Sequence, residues 1–250
     1  HSTAVVMICC TCKCIDMCGV HVPDVLCMMR TCACLYMLRA LGAERETTGT
    51  ERASSCNMTE PEDNREYKNV EYWDKRYTSE ESYDWFFTWP ELREKLSPHI
   101  THQDRILHLG CGNSTVSADM FDDGYTNLVN VDFSEVVIHN MAEKRPDMSW
   151  IRMDIRDMPL EGGSFDVVLD KGTLDALEVD SSEESVKDLE RTLHEVYRVL
   201  RPGGKYIQIS FCHPIRRPYL IADPLDWTLE RETIEGHFHY HMCVLTKPAS

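Results

Sequence analysis

Arg105-Ile106-Leu107-His108-Leu109-Gly110-Cys111-Gly112 decides the fold. A short, mostly apolar run stops at two glycines one residue apart, the way a buried parallel strand hands over to a ligand-facing loop. A helix is expected from about Ser114 to Asp122. Leu128-Val129-Asn130-Val131 reads as a second strand ending in Asp132, and Ser134 is placed to cap a helix that runs to Arg145 before Pro146 stops it. Trp150 to Met153 gives a third strand ending in Asp154, and Phe165 to Leu169 a fourth ending in Asp170. Strands alternating with helical periods predict an α/β domain on a largely parallel, Rossmann-like sheet.

Further along, Val186, Leu189, Leu193, Val196, Val199 and Leu200 recur at three- and four-residue spacings, the stripe of an amphipathic helix over Glu183 to Leu200. Arg201-Pro202-Gly203-Gly204 is read as its stop and as a tight reversal. Lys205 to Phe211 is then a fifth strand. Trp227 to Glu230 and Phe238 to Leu245 make two more, joined by a short connection containing Gly236. With no room for a crossover helix, that pair is expected as a terminal antiparallel hairpin, completing a seven-stranded, mostly parallel sheet.

Ligands of open α/β sheets sit at the carboxyl ends of the strands, and here those ends carry Gly110, Gly112, Asp132, Asp154 and Asp170. Asp132 follows Gly112 by the separation expected of a carboxylate that accepts both ribose hydroxyls of an adenosine-containing cofactor. A G-x-G-x-x-G motif is not completed, because its third glycine position is Thr115. That glycine serves close packing beneath a pyrophosphate, so its absence favours a phosphate-free cofactor, S-adenosyl-L-methionine, over a dinucleotide. A lone G-x-G or a single strand-terminal aspartate is more often structural; the ordered set, closed by Arg198-Val199-Leu200-Arg201-Pro202-Gly203-Gly204, is what carries the signal.

That ordered set resembles class I S-adenosylmethionine-dependent methyltransferases over about residues 100 to 211. Three further stretches narrow the resemblance: Glu71-Tyr72-Trp73-Asp74-Lys75-Arg76-Tyr77 with Tyr83-Asp84-Trp85-Phe86, Leu109-Gly110-Cys111-Gly112-Asn113-Ser114, and Asp170-Lys171-Gly172-Thr173-Leu174-Asp175-Ala176. They are similar to the eukaryotic methyltransferases that modify lysines of translation elongation factor 1-alpha. The tail Gly236-His237-Phe238-His239-Tyr240-His241 is similar to that of the member also found fused to endothelin-converting enzyme 2.

The resemblance covers residues 66 to 247, and it implies a protein-lysine N-methyltransferase. It implies that Trp73, Tyr77 and Tyr83 wall the cofactor, that Gly110 meets its methionine part beside Gly112, and that Asp132 holds the ribose. Phe133 would pack on the adenine, Asp154 with Ile155 would read the adenine edge, and Lys171 would line the site near the methyl group. Phe86 is expected in the core. Asp170 or Asp175 is placed to orient a lysine amine, and no dedicated base is identified. The alternatives are a small-molecule methyltransferase, a citrate synthase methyltransferase sharing the Asp-Lys-Gly-Thr signature, and a non-catalytic S-adenosylmethionine-binding adaptor.

Composition bounds the partners. Of 250 residues, 42% are hydrophobic, enough for a sizeable core, and the formal net charge of −16 repels phosphate backbones and anionic membranes. A basic protein, elongation factor 1-alpha, is the expected partner, with neither nucleic acid nor membrane; no apolar run approaches the ~20 residues of a bilayer span. Eight of the twelve cysteines fall in the first 34 residues. Residues 1–57 are read as a leader, disordered or foreign to the natural product, with Met58 opening a methyltransferase domain over 58–250. The leader lacks the matching second C-x2-C half that zinc sites show, so no metal is expected there. His237, His239 and His241 alternate along one strand face and are likewise read as surface or substrate-facing. A reduced, cytoplasmic protein is expected; Arg30, Arg39, Arg45 and Arg52 supply a mitochondrial alternative that Glu44, Glu46 and Glu51 oppose.

Overall fold

The computed structural model describes residues 61–214, 217, 220, 225–235 and 239–249, all within the unit Ser55–Ser250. The leader and Gly236, His237 and Phe238 of the tail lie outside the described residues.

After a 3-10 helix over Asn64–Lys68, two α-helices precede the sheet: α1 (Val70–Ser79) and α2 (Trp89–Leu96). Thr88 and Glu91 form a reciprocal capping box at the start of α2, where Pro90 occupies the first turn without wasting an N–H. The remaining elements are β1 (Ile106–Leu109), α3 (Val116–Asp122), β2 (Leu128–Asp132), α4 (Glu135–Lys144), β3 (Ser149–Arg152), β4 (Phe165–Lys171), α5 (Thr173–Leu177), α6 (Glu183–Val199), β5 (Leu200–Ser210), β6 (Thr228–Glu235) and β7 (His239–Thr246). Among the described residues the strands form one sheet in the order β3-β2-β1-β4-β5-β7-β6. The first five are parallel, and β7 runs antiparallel between β5 and β6.

Side-chain alternation along the strands splits the core into two layers. Leu107, Leu109 and Val168 face a layer that includes Leu189, Leu193 and Val196 of α6. Ile106, Val167 and Leu169 face the opposite layer, where Trp89, Leu92 and Leu96 of α2 pack. Leu92 and Leu96 are fully buried, each stabilising the fold by about 1.5–3 kcal/mol relative to an exposed side chain. A third cluster docks Trp73 and Tyr77 of α1 against Val137 and Met141 of α4, which sets the aromatic helix beside the ends of β1 and β2.

Three expectations change. Strand β5 begins at Leu200, because Leu200 pairs with Phe165 before the ladder resumes at Val167 and Lys205. The Pro202-Gly203 stretch is a bulge within the strand, with Gly203 at φ +76, and not a turn before it. Val186 is 40% exposed, because the buried stripe of α6 runs through Ser185, Leu189, Leu193 and Val196, and Val186 lies about 100° round from Ser185. Helix α3 starts at Val116, since the hydroxyls of Ser114 and Thr115 are engaged with Asp84.

Candidate active site

The loop after β1 is built for close backbone approach. Gly110 and Gly112 adopt φ +53 and +52, and a Cβ on Gly110 would lie 2.4 Å from Thr173 Oγ1. Thr173 is held there: its hydroxyl donates to the Leu109 carbonyl at 2.9 Å and its N–H to Asp170 Oδ1 at 2.8 Å. Both glycines line a cavity at the carboxyl ends of the strands, with about 880 Å³ of empty space including its mouth.

Asp132 forms the buried end of this cavity. Its Oδ2 accepts the Gly112 N–H and its Oδ1 the Ser134 N–H, each at 3.0 Å, leaving a further lone pair on each oxygen. Burial raises its pKa to about 6, although those N–H groups favour the charged form. Phe133 and Ile155 line the same wall. Asp154 also lines it, but Arg156 donates to its carboxylate through Nε at 2.9 Å and Nη2 at 2.8 Å. That pairing holds the Asp154 carboxyl below the ordinary aspartate value.

The opposite wall is aromatic. Trp73 and Tyr77 stack with ring centroids 5.6 Å apart, and Tyr83 meets Trp85 edge-on at 5.1 Å. Behind them the Arg76 guanidinium sits 5.1 Å from the centroids of both Tyr83 and Trp85 and pairs with Glu80 at 2.7 Å. Lys171 closes the wall: its Nζ donates to the Trp85 carbonyl at 2.8 Å and lies 3.7 Å from Asp84 Oδ1. Burial pushes its pKa down to about 8.

All ten residues expected at the site therefore line one cavity: Trp73, Tyr77 and Tyr83 on the aromatic side, Gly110 and Gly112 beneath, Asp132, Phe133, Asp154 and Ile155 opposite, and Lys171 at the end of β4. Asp170 and Asp175 do not line it. Asp170 is fully buried and accepts from Tyr206 at 2.8 Å; Asp175 accepts from Ser210 at 2.7 Å and from Arg217 at 2.9 Å. Neither is placed to orient an incoming amine, because both carboxylates are turned into the scaffold. Phe86 is half-buried against the α2-side core, while its neighbour Trp85 faces the cavity.

Sequence reasoning missed Trp85, Tyr67 and His108 as lining residues. His108 lies next to the carboxyl end of β1, just before the glycine loop, which was the available signal. Its Nδ1 is 2.6 Å from Ser117 Oγ, and burial lowers its pKa to about 3, so the ring is neutral. His241 packs edge-on to His213 at 4.7 Å, and no cluster of metal ligands occurs among the described residues.

The cavity fits a nucleoside-bearing cation better than a dinucleotide. Its glycine floor admits a ligand close to the backbone, Asp132 offers acceptors to vicinal hydroxyls, and the aromatic wall suits a base and a positive centre. At the start of α3, where a dinucleotide fold directs donors to a pyrophosphate, Ser114 and Thr115 already serve the Asp84 carboxylate, and a phosphate would meet that negative charge.

Residues 107–208 match a family model described as a methyltransferase domain. The chain is 39% identical over 200 residues to EEF1A lysine methyltransferase 4 of Mus musculus, covering 75% of this chain and 78% of that protein. It is 42% identical over 156 residues to the eEF1A lysine and N-terminal methyltransferase of Homo sapiens, covering 60% of this chain and 22% of that longer protein. Among solved structures, a Haloferax volcanii putative methyltransferase in complex with the Trm112 methyltransferase activator superposes with a TM-score of 0.55 at 17% identity, over 73% of this chain and 97% of that one. That likeness shows the fold.

Proposed function

The chain belongs to the eEF1A lysine methyltransferases, a family of class I S-adenosylmethionine-dependent enzymes, and from that membership we propose that it methylates the side-chain amine of a lysine on translation elongation factor 1-alpha. The observation that carries the reading is the buried Asp132 carboxylate, tied to the glycine loop and facing an aromatic-walled cavity.

S-adenosylmethionine supplies, when bound, a methyl group on a positively charged sulfur. The residues of the chain bind and orient. Asp132 accepts the ribose hydroxyls, Phe133 packs on the adenine, and Asp154 and Ile155 read its edge. Gly110 and Gly112 let the methionine part lie against the backbone. Trp73, Tyr77 and Tyr83 exclude water, and a lysine amine entering such a wall favours its neutral form, since desolvation penalises the ammonium. Holding that amine in line at about 3 Å is then the main source of acceleration. The activity is assigned to residues 58–250, since every residue given a role follows Met58, and to the cytoplasm, with a basic protein rather than nucleic acid or membrane as partner. No helix among the described residues is long and apolar enough to cross a membrane.

Incubating the protein with labelled methyl donor and purified elongation factor 1-alpha tests the proposal. Label on a lysine of that protein is the expected result. Label confined to small metabolites, or to citrate synthase, overturns the substrate; failure to bind S-adenosylhomocysteine overturns the site. A chain beginning at Met58 should retain that binding.

A further inference from the structure

One wall of the cavity is a strap, residues 80–87, that belongs to no helix or strand. It is attached to the strand ends at several points. Asn113 Nδ2 donates to the Glu80 carbonyl at 3.1 Å, and the Asp84 carboxylate accepts from Ser114 Oγ and, at 3.0 Å, from Thr115 Oγ1. Beyond Asp84 the chain reverses sharply. The Phe87 N–H donates to the Trp85 carbonyl at 2.8 Å around Phe86, whose φ is +68, the only non-glycine with positive φ among the described residues. This is a γ-turn of the strained, positive-φ kind, which persists only where its surroundings over-determine it.

Two features over-determine it. The Phe86 ring lies over Gly172, 3.1 Å from where a Cβ on that glycine would stand, so the ring uses space that only glycine leaves. Lys171, the preceding residue, sends its side chain to the same turn. Its side chain is 3% exposed, and both its hydrogen-bond acceptor, the Trp85 carbonyl, and its ion-pair partner, the Asp84 carboxylate, belong to the strap. A buried ammonium is costly unless paired, and here its hydrogen bond and its ion pair both go to one segment. A general base needs a free lone pair toward substrate; this nitrogen is a donor directed into the wall.

We infer that Lys171 is a positioning residue, fastening the strap so that Tyr83 and Trp85 stand as a wall of the cavity. The inference rests on the cavity being the cofactor site only for its functional consequence; the fastening itself is readable in the unliganded protein.

The experiment is hydrogen exchange on the full chain without ligand, comparing wild type with Lys171→Met. The peptide covering residues 80–88 is expected to exchange at least about tenfold faster in the variant, while peptides from β1 and β2 stay unchanged. S-adenosylhomocysteine affinity is expected to fall about tenfold, and the cofactor KM to rise by a similar factor with kcat changed by less than about threefold. Unaltered exchange in residues 80–88 overturns the inference. So does a large loss of kcat at saturating cofactor with KM unchanged, which would put Lys171 in the chemistry. Should Lys171→Met fail to fold, Asp84→Asn removes the charge facing Lys171 while keeping one acceptor oxygen for the Ser114 or Thr115 hydroxyl, the other hydroxyl turning to accept from the new amide. It is expected to speed exchange of the same peptide about threefold, and no change there overturns the inference equally. Wild-type protein that fails to bind S-adenosylhomocysteine would refute the cofactor reading and leave the exchange result to decide the fastening.

Discussion

The Gly112 N–H donates to Asp132 Oδ2 at 3.0 Å, joining the loop after β1 to the end of β2. With Ser134 on the other oxygen, the carboxylate has one orientation, and its remaining lone pairs are those a ligand meets. Asp132→Ala is therefore expected to weaken S-adenosylhomocysteine binding by about 2–3 kcal/mol, the loss of hydrogen bonds to a charged group. Calorimetry showing unchanged affinity in a folded variant removes Asp132 from the site.

The same residue sets a pH dependence of two opposite signs. Burial holds its folded pKa at about 6, above the ~3.9 of an unfolded aspartate, so its contribution to the stability of the unliganded protein is full below pH ~4 and lost as pH rises through about 6. Ribose hydroxyls donate to the ionised form, so cofactor affinity is highest above that value and falls below it. S-adenosylhomocysteine dissociation constants measured between about pH 5 and 8 check this; a flat profile contradicts it, and Asp132→Asn should lose the dependence.

Gly110→Ala forces a side chain into the left-handed region and against Thr173. The expected cost is about 2–4 kcal/mol, from the conformation and the overpacking together. Adding Thr173→Ala should return part of that loss, and urea denaturation of the two single variants and the double variant measures the coupling. Strictly additive costs would mean the contact does not matter.

Arg217 is buried between α5 and the end of β5, donating to Asp175 at 2.9 Å, to Glu178 at 2.6 Å and to Ser210 at 3.0 Å. Arg217→Met strands the charge on Asp175 and is expected to cost about 3–5 kcal/mol. Asp175→Asn in the same chain should recover part of it. A loss below about 1 kcal/mol would show that the pair is solvated in solution.

Charge bears on the encounter with substrate. The first 57 residues carry five basic and five acidic groups, so the −16 resides in the rest of the chain. Turnover of a basic protein at low concentration should fall as salt rises, while cofactor binding changes little. Equal salt sensitivity of both would argue against electrostatic steering.

Local signals made β1, β2 and β4 legible: an apolar run ended by glycine or aspartate states both the strand and its ligand-facing end. Gly110, Gly112, Asp132 and Asp154 were legible for the same reason, whereas Trp73, Tyr77, Tyr83, Phe133, Ile155 and Lys171 came from the family resemblance. What was hidden depends on distance or on the side a residue faces. Pro202-Gly203 reads as a turn because only the pairing of Leu200 with Phe165 reveals a bulge. Asp170 and Asp175 sit one and four residues from Lys171 in sequence, yet Tyr206 and Arg217 draw them away from the cavity. The positive φ of Phe86 has no sequence signature, since a phenylalanine is chosen there for its ring and not for its backbone.

Strand β7 lies between β5 and β6, although it is made after both. While the chain is being synthesised, β6 has no neighbour and β5 presents an open edge until residues near Thr246 emerge. A ribosome that stops after residue 235 would thus release a protein missing an interior plank rather than a trailing end, with two unpaired edges open to other chains. The sheet closes only when β7 emerges, which makes that strand a checkpoint on whether translation has passed residue 246.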